Sequence, residues 1–395
     1  MKLKSLVIAM SLMAASTAMA SHATDATTGA STKAAETQLD VMNQVNDGTG
    51  LGNADWANMV QMHGGLNTDG HWGSTDQGFT GENDNRFSVT DAYLNLVATP
   101  NSWARLNIDM DYSDASSQYN PSESGELNIE QAYATFGDFD KYPLFLQIGR
   151  QYSPFGRFEL HPVVKSMAQV LTETNQTEAQ LGYIGDNGFY GSVFGFQNQV
   201  SKNEATSEAA TNYGLAAGFQ KSNDHMDVDL GLGYMNDMAG VDAVEAYLED
   251  NGDVYNNTVH ALNSYLRFHT GPFGFNVDYV TAMDNYDASI VPAKSGDTDG
   301  AQPWASGVEA TYDFMMKEMN SQISFGYQKS DDASAIGLPE GRYSVGYNVF
   351  PWENTTIGVV ATRDTAYSDQ YVTNDGSLGD GDNFYTYSLR VGVKF

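Results

Sequence analysis

The sequence predicts an all-β chain, a transmembrane antiparallel β-barrel of about sixteen strands. Three observations lead there: apolar residues at every second position in strand after strand, connections that alternate short and long, and export without a segment able to cross a bilayer as a helix. Strict alternation places the two residue sets on opposite faces of a strand. The last stretch shows it best. Tyr385, Tyr387, Leu389, Val391, Val393 and Phe395 alternate with Thr386, Ser388, Arg390, Gly392 and Lys394.

In chain order, residues 1–20 read as a secretory signal peptide. Lys2 and Lys4 precede an apolar core from Leu6 to Ala15, then Ala18-Met19-Ala20 as a small-x-small cleavage site. That core is too short for a membrane anchor, which needs about 20 apolar residues. The absence of cysteine excludes a lipoprotein anchor and a disulfide framework. Residues 21–55 are rich in Thr, Ala, Ser and Asn and read as a periplasmic lead-in, with one short helix fitting Lys33 to Val45.

The barrel follows over 56–395, in strands of about nine to eleven residues, the length a tilted membrane strand needs. On one face Leu106, Ile108, Met110 and Tyr112 alternate with Arg105, Asn107, Asp109 and Asp111. The same pattern recurs at Met226–Tyr234, Phe273–Tyr279 and Trp304–Phe314. Short turns are expected at 99–102, 137–143, 185–188, 221–225, 270–272, 315–320 and 350–354. Long loops are expected at 67–86, 113–126, 152–175, 198–210, 236–257, 283–302, 329–341 and 364–382. An even strand number returns both termini to the side the signal peptide requires, which predicts the outer membrane of a Gram-negative cell. A last strand ending on Phe395 resembles the assembly signal of outer-membrane barrels. The expected partners are therefore the barrel assembly machinery, outer-membrane lipid and lipopolysaccharide.

Composition agrees. With 39 Gly, 23 Tyr and 19 Phe the mean hydropathy is −0.40, too polar for a helical membrane protein but natural when only alternate residues meet lipid. The charge of −31, falling by two to −33 without Lys2 and Lys4, argues against nucleic acid as a partner. Aromatic residues at 12%, set in strict alternation, exclude an acidic disordered chain.

Catalysis is weakly signalled, and neither an enzyme, a cofactor nor a metal is expected. The seven histidines show no zinc spacing. His260 and Ser264 share a strand face about 13 Å apart, too far to hydrogen-bond. The acidic runs at 297–300 and 375–382 lack the full calcium-loop pattern and read as solvated surface. By alternation Asp91, Asp109, Asp111, Asp227, Asp229, Asp278, Glu309 and Asp313 point inward, as do Arg105, Arg267, Arg342 and Arg390. The acidic excess predicts a weak cation preference for an open channel.

One loop stands apart. Residues 147–183 hold the longest connection, a short helix is expected over Val164–Leu171, and Arg150, Arg157, His161 and Lys165 make it basic in an acidic chain. A loop folded into the pore, offering cations to an anionic ligand, fits this composition. An external cap without a ligand fits as well. A second helical stretch, Val241–Leu248, is acidic and reads as a lid surface.

The run GRQYSPFGRFELHPVVKSMAQVLTET, preceded by EQAYATFGDFDKYPLFLQI, resembles the outer-membrane siderophore porins typified by the legiobactin receptor, the LbtU-like family. The architecture is similar from about Trp56 to Phe395, and the motif-specific block is 130–183. Pro154, Phe155 and Gly156 match the family's loop motif, and Leu171 to Thr174 the segment after it. The resemblance implies a porin-like barrel that takes up a ferric siderophore without a large plug domain. Candidate ligand-holding residues are Arg150, Arg157 and Lys165, then Arg105, with Phe155 from the motif. The alternative is a general diffusion porin for other small hydrophilic solutes, with a weak cation preference. A barrel enzyme or adhesin is a third possibility. A homotrimer fits a barrel of this size.

Overall fold

A computed structural model describes residues 60–73, 86–113, 126–139, 141–157, 165–202, 209–223, 225–252, 254–296, 298–373 and 379–395. The signal peptide, the lead-in with its expected helix at Lys33–Val45, and His161 lie outside the described residues.

The first arc of the barrel is β1 (Val60–Gly73), β2 (Arg86–Asn101), β3 (Ala104–Ser113), β4 (Glu126–Phe136), β5 (Leu144–Tyr152), β6 (Asn175–Ile184), β7 (Phe189–Lys202), β8 (Ala209–Asn223) and β9 (Met226–Met235). A two-residue strand, β10 (Val254–Tyr255), lies in the connection that follows and pairs parallel with β7. The second arc is β11 (Ala261–Thr270), β12 (Phe273–Ala282), β13 (Trp304–Met316), β14 (Met319–Asp331), β15 (Gly341–Trp352), β16 (Thr355–Thr365) and β17 (Asn383–Lys394). Setting β10 aside, the described residues contain sixteen barrel strands, each antiparallel to its neighbours. The circle closes where β1 pairs β17, from Gly65 opposite Lys394 to Gly73 opposite Thr386. Strand number, alternation and the order of short and long connections are as the sequence predicts.

The polarity is inverted relative to a soluble protein. Inward positions such as Asn107, Asp109, Gln147 and Gln180 are buried, while outward Leu106, Ile148, Leu232 and Val308 are exposed. Left in water, each large apolar side chain forfeits about 1.5–3 kcal/mol, so the outer face is built for hydrocarbon. Aromatic side chains ring that face at both strand ends. Trp103, Tyr142 and Trp352 lie by the short turns, Trp72, Tyr279 and Tyr385 by the long loops. Two girdles flanking an apolar band mark a membrane-spanning barrel.

Inside, some glycines make room for rings. A Cβ on Gly218 would meet the Tyr190 ring at 2.3 Å and one on Gly231 the Tyr265 ring at 2.5 Å, so both rings lie flat against the wall. At the β13–β14 turn Lys317 (φ 48°) and Glu318 (φ 68°) both take left-handed conformations, each costing roughly 1 kcal/mol or more without glycine. Substituting Asn-Gly for Lys317-Glu318 will stabilise the barrel by about 1–2 kcal/mol. A denaturant midpoint in detergent reads the gain, and an unchanged midpoint would refute it.

At the long-loop end the connections form one apolar core. It joins Phe155, Met167 and Leu171 to Met238, Val244, Leu248 and Tyr255, and then to Tyr286, Val291, Ile336 and Leu338.

Candidate functional site

The 153–174 loop, between β5 and β6, organises the lumen. It starts against its own root, where the Ser153 N–H donates to the Thr174 carbonyl (2.8 Å) and the Ser153 hydroxyl to Glu178 (2.5 Å). Ser166 caps the helical turn α1 (Met167–Val170) by accepting from the Gln169 N–H (3.0 Å), and the Thr172 hydroxyl donates to the Ala168 carbonyl (2.8 Å). The turn is shorter than the helix expected over Val164–Leu171.

Contacts of this loop reach the opposite wall. Arg157 pairs with Asp229 on β9, and Arg267 on β11 donates to the Arg157 carbonyl while pairing with Asp278 (2.7 Å). Asp229 also accepts from the Tyr190 hydroxyl (2.6 Å), which meets the Tyr265 hydroxyl. Further along, the Met167 N–H donates to Gln328 on β14 (2.8 Å). The Lys165 carbonyl accepts from Arg342 on β15 (3.2 Å). Arg342 in turn grips Asp364 on β16 with two bonds of 2.8 and 2.7 Å. The described ends of the loop, to Arg157 and from Lys165, therefore lie against the inner wall instead of capping the barrel from outside.

The predicted site residues do not form one cation cluster. Arg150 is exposed on the outward face of β5, in phase with Leu144, Leu146 and Ile148, so it does not line the lumen. Arg157 is buried and neutralised by Asp229. Lys165 pairs with Glu173. Burial alone would depress its ammonium, but Glu173, with Asp242 and Glu130 beyond, raises its pKa. Phe155 is 1% exposed within the apolar core, where it packs and offers no surface to a ligand. Arg105 is half-buried on the inner face of β3 and has a partner of its own. The other inward arginines, Arg267, Arg342 and Arg390, are also paired, the last to Asp69 (2.8 and 2.6 Å).

Sequence reasoning missed the carboxylates that answer these cations: Glu173, Asp364 and Asp69, the last placed in the expected 67–86 loop, and Asp229 as the partner of Arg157. Asp364 had a usable signal, because alternation turns it inward on the strand beside Arg342. Asp229 is 72 residues from Arg157 and offered none.

Two walls of the lumen differ. On β5 and β6 the inward Gln147, Gln151 and Gln180 are fully buried, at 0% exposure. On β1 to β3 the inward His71, Asn95, Arg105 and Asp111 stay partly exposed. Other inward polar side chains stay partly open as well, among them Asp227, His269 and Asp313 on β9, β11 and β13. On the described barrel strands, buried carboxylates outnumber buried arginines, eight to three.

Solved structures settle the fold. Pseudomonas putida OprB matches with a TM-score of 0.60 at 12% identity, over 86% of this chain and 95% of that one. Salmonella typhi OmpF, in complex with daunomycin, matches at 0.57 and 12%, over 85% and 97%. The outer membrane channel DcaP of Acinetobacter baumannii matches at 0.56 and 13%, over 85% and 97%. This is a porin-like barrel. In sequence, the chain is similar to UPF0422 proteins. That of Coxiella burnetii is 25% identical over 339 residues, 83% of this chain and 70% of the relative. That of Legionella pneumophila (strain Lens) is 24% identical over 354 residues, 82% of this chain and 66% of the relative. The chain thus spans about two thirds of the length of these relatives. No family model matches it.

The inner wall is polar, and its buried arginines, Arg267, Arg342 and Arg390, are held by carboxylates.

Proposed function

We propose that the protein is a passive channel of the Gram-negative outer membrane for small hydrophilic solutes, with a weak preference for cations and no enzymatic activity. The carrying observation is a closed sixteen-stranded barrel whose polar interior holds more buried carboxylates than arginines. In a water-filled pore such an excess draws cations. Lipid and lipopolysaccharide surround the apolar outer face in this reading, the barrel assembly machinery inserts it, and a homotrimer is its assembled form.

A second reading, uptake of a ferric siderophore, draws on the resemblance across residues 130–183, whose loop is the one that enters the lumen. Arg157 and Lys165 would have to exchange their carboxylates for an anionic chelate, which makes half-exposed Arg105 the first candidate contact.

One bilayer experiment separates the two. The refolded chain in a potassium chloride gradient is expected to give steady current with a reversal potential of cationic sign, unaffected by a panel of ferric siderophores. Block by one chelate at low concentration would favour the second reading. An anionic reversal potential would refute the cation preference, and silence from a verified barrel would refute the channel.

A further inference from the structure

On β14 to β16 the outer face turns Phe325, Val345 and Val359 toward hydrocarbon at mid-height. Toward the long loops the same face carries two exposed cations, Lys329 on β14 and Arg363 on β16. Register gathers them around one point on β15. Lys329 lies opposite Gly341, and Tyr327 opposite Tyr343. Across the next ladder Gly341 lies opposite Thr365, and Tyr343 opposite Arg363. Arg363 in turn faces Tyr385 of the aromatic girdle by the long loops. The two cations thus flank Gly341, with about 12 Å between their Cα positions from strand spacing and rise. A Cβ on Gly341 would meet nothing nearer than the Gln328 carbonyl oxygen at 3.8 Å, so the space between them is open. Tyr327 and Tyr343, ring centroids 4.8 Å apart, form its edge on the hydrocarbon side.

Their electrostatics differ from those of the lumen. Each buried inward arginine grips a carboxylate, whereas Arg363 donates only to the neutral Asn383 side-chain oxygen, at 3.2 and 2.9 Å. The Thr365 hydroxyl donates to that same oxygen (3.1 Å), so Asn383 aims the guanidinium without cancelling its charge. Lys329 has no carboxylate partner among the described residues. Asp331, two residues further along β14, accepts from the Tyr371 hydroxyl (2.8 Å) on the loop side. A cation held at the hydrocarbon edge without a counter-charge is costly unless the medium beside it supplies an anion. In a chain of net charge −31, two such cations beside one gap are not surplus positive charge.

We propose that Lys329 and Arg363, with the Gly341 gap between them, form a binding site for a phosphorylated head group of lipopolysaccharide. It rests on the reading that this lipid meets the outer face, and it fixes where on the wall one molecule is held. The guanidinium and the ammonium donate charge-assisted hydrogen bonds to phosphate oxygens from two sides. Tyr327, Tyr343 and Tyr385 supply rings at the boundary between head group and acyl chain, where one end of a tyrosine is apolar and the other wet. Below them Phe325, Val345 and Val359 meet the acyl chains. The third outward cation toward the long loops, Arg150 on β5, lies between Ala132 and Thr177 in register, with neither a second cation nor an aromatic ring opposite it. It therefore makes no such site.

Native mass spectrometry of the full chain refolded in detergent, with diphosphoryl lipid A as the probe, reads the first bound lipid. The Lys329→Gln/Arg363→Gln variant is expected to weaken that binding at least about tenfold, the loss that removing charged hydrogen bonds brings. Both side chains are exposed, so the barrel should fold as before. A charge-matched control, Arg150→Gln/Lys221→Gln, removes two exposed cations elsewhere and should stay within about twofold of the wild type. The charge-keeping exchange Lys329→Arg/Arg363→Lys should retain binding. Undiminished binding by the first variant, an equal loss in the control, or equal affinity for lipid A stripped of its phosphates would each overturn the site. None of these results depends on conductance, so failure here leaves the channel reading standing.

Discussion

Replacing Asp69 by alanine is expected to destabilise the barrel by about 3–5 kcal/mol, the penalty of leaving a buried guanidinium without its carboxylate. Asp69 on β1 and Arg390 on β17 meet across the seam that closes the circle, where Asp69 is 1% and Arg390 5% exposed. Their two bonds of 2.8 and 2.6 Å form the bidentate geometry that gives such pairs direction as well as strength. Exchanging both partners, Asp69→Leu with Arg390→Met, removes the stranded charge and should recover most of the loss. Tryptophan fluorescence during denaturant unfolding in micelles measures both variants. A single variant within about 0.5 kcal/mol of the wild type would mean that water already solvates the pair.

Cutting two of the loop's four described ties across the barrel should enlarge the pore. Arg157→Ala removes the pair with Asp229, and Gln328→Ala strands the buried Met167 N–H, at a cost of about 1–3 kcal/mol. Neither change touches the Arg342–Asp364 pair between β15 and β16, so the wall itself stays intact. Single-channel conductance of the double variant is expected to rise at least about twofold, with noisier open levels, because a loop held by fewer ties narrows the lumen less. Conductance equal to the wild type's would show that the loop does not limit the current.

Strands and turns were legible because barrel geometry is written locally. A period of two, interrupted by turns of two to a few residues, locates Ala104–Ser113 or Asn383–Lys394 without any distant contact. The same alternation held the answer for Arg150, which continues the outward series Leu144, Leu146, Ile148. Grouping it with Arg157 and Lys165 by loop composition ignored that phase. The charge partners were harder. A loop's path through a lumen depends on contacts far apart in sequence, and only pairs on neighbouring strands, such as Arg342 and Asp364, can be read from register. The acidic helix shows the same limit. Its carboxylates suggest a solvated surface until the packing of Val244 and Leu248 shows which way it faces.

The apolar core at the loop end also bears on biogenesis. Its members run from Phe155 to Leu338, so it cannot assemble until the whole arc from β5 to β15 stands in place. Contacts of such wide sequence separation are late events, since the chain between them must first be ordered. A barrel stalled part-way would therefore display greasy, unpaired loops, the kind of surface that aggregates or is captured before it does. Completion of the wall and concealment of those loops coincide, and that gives the cell a simple mark of a finished molecule.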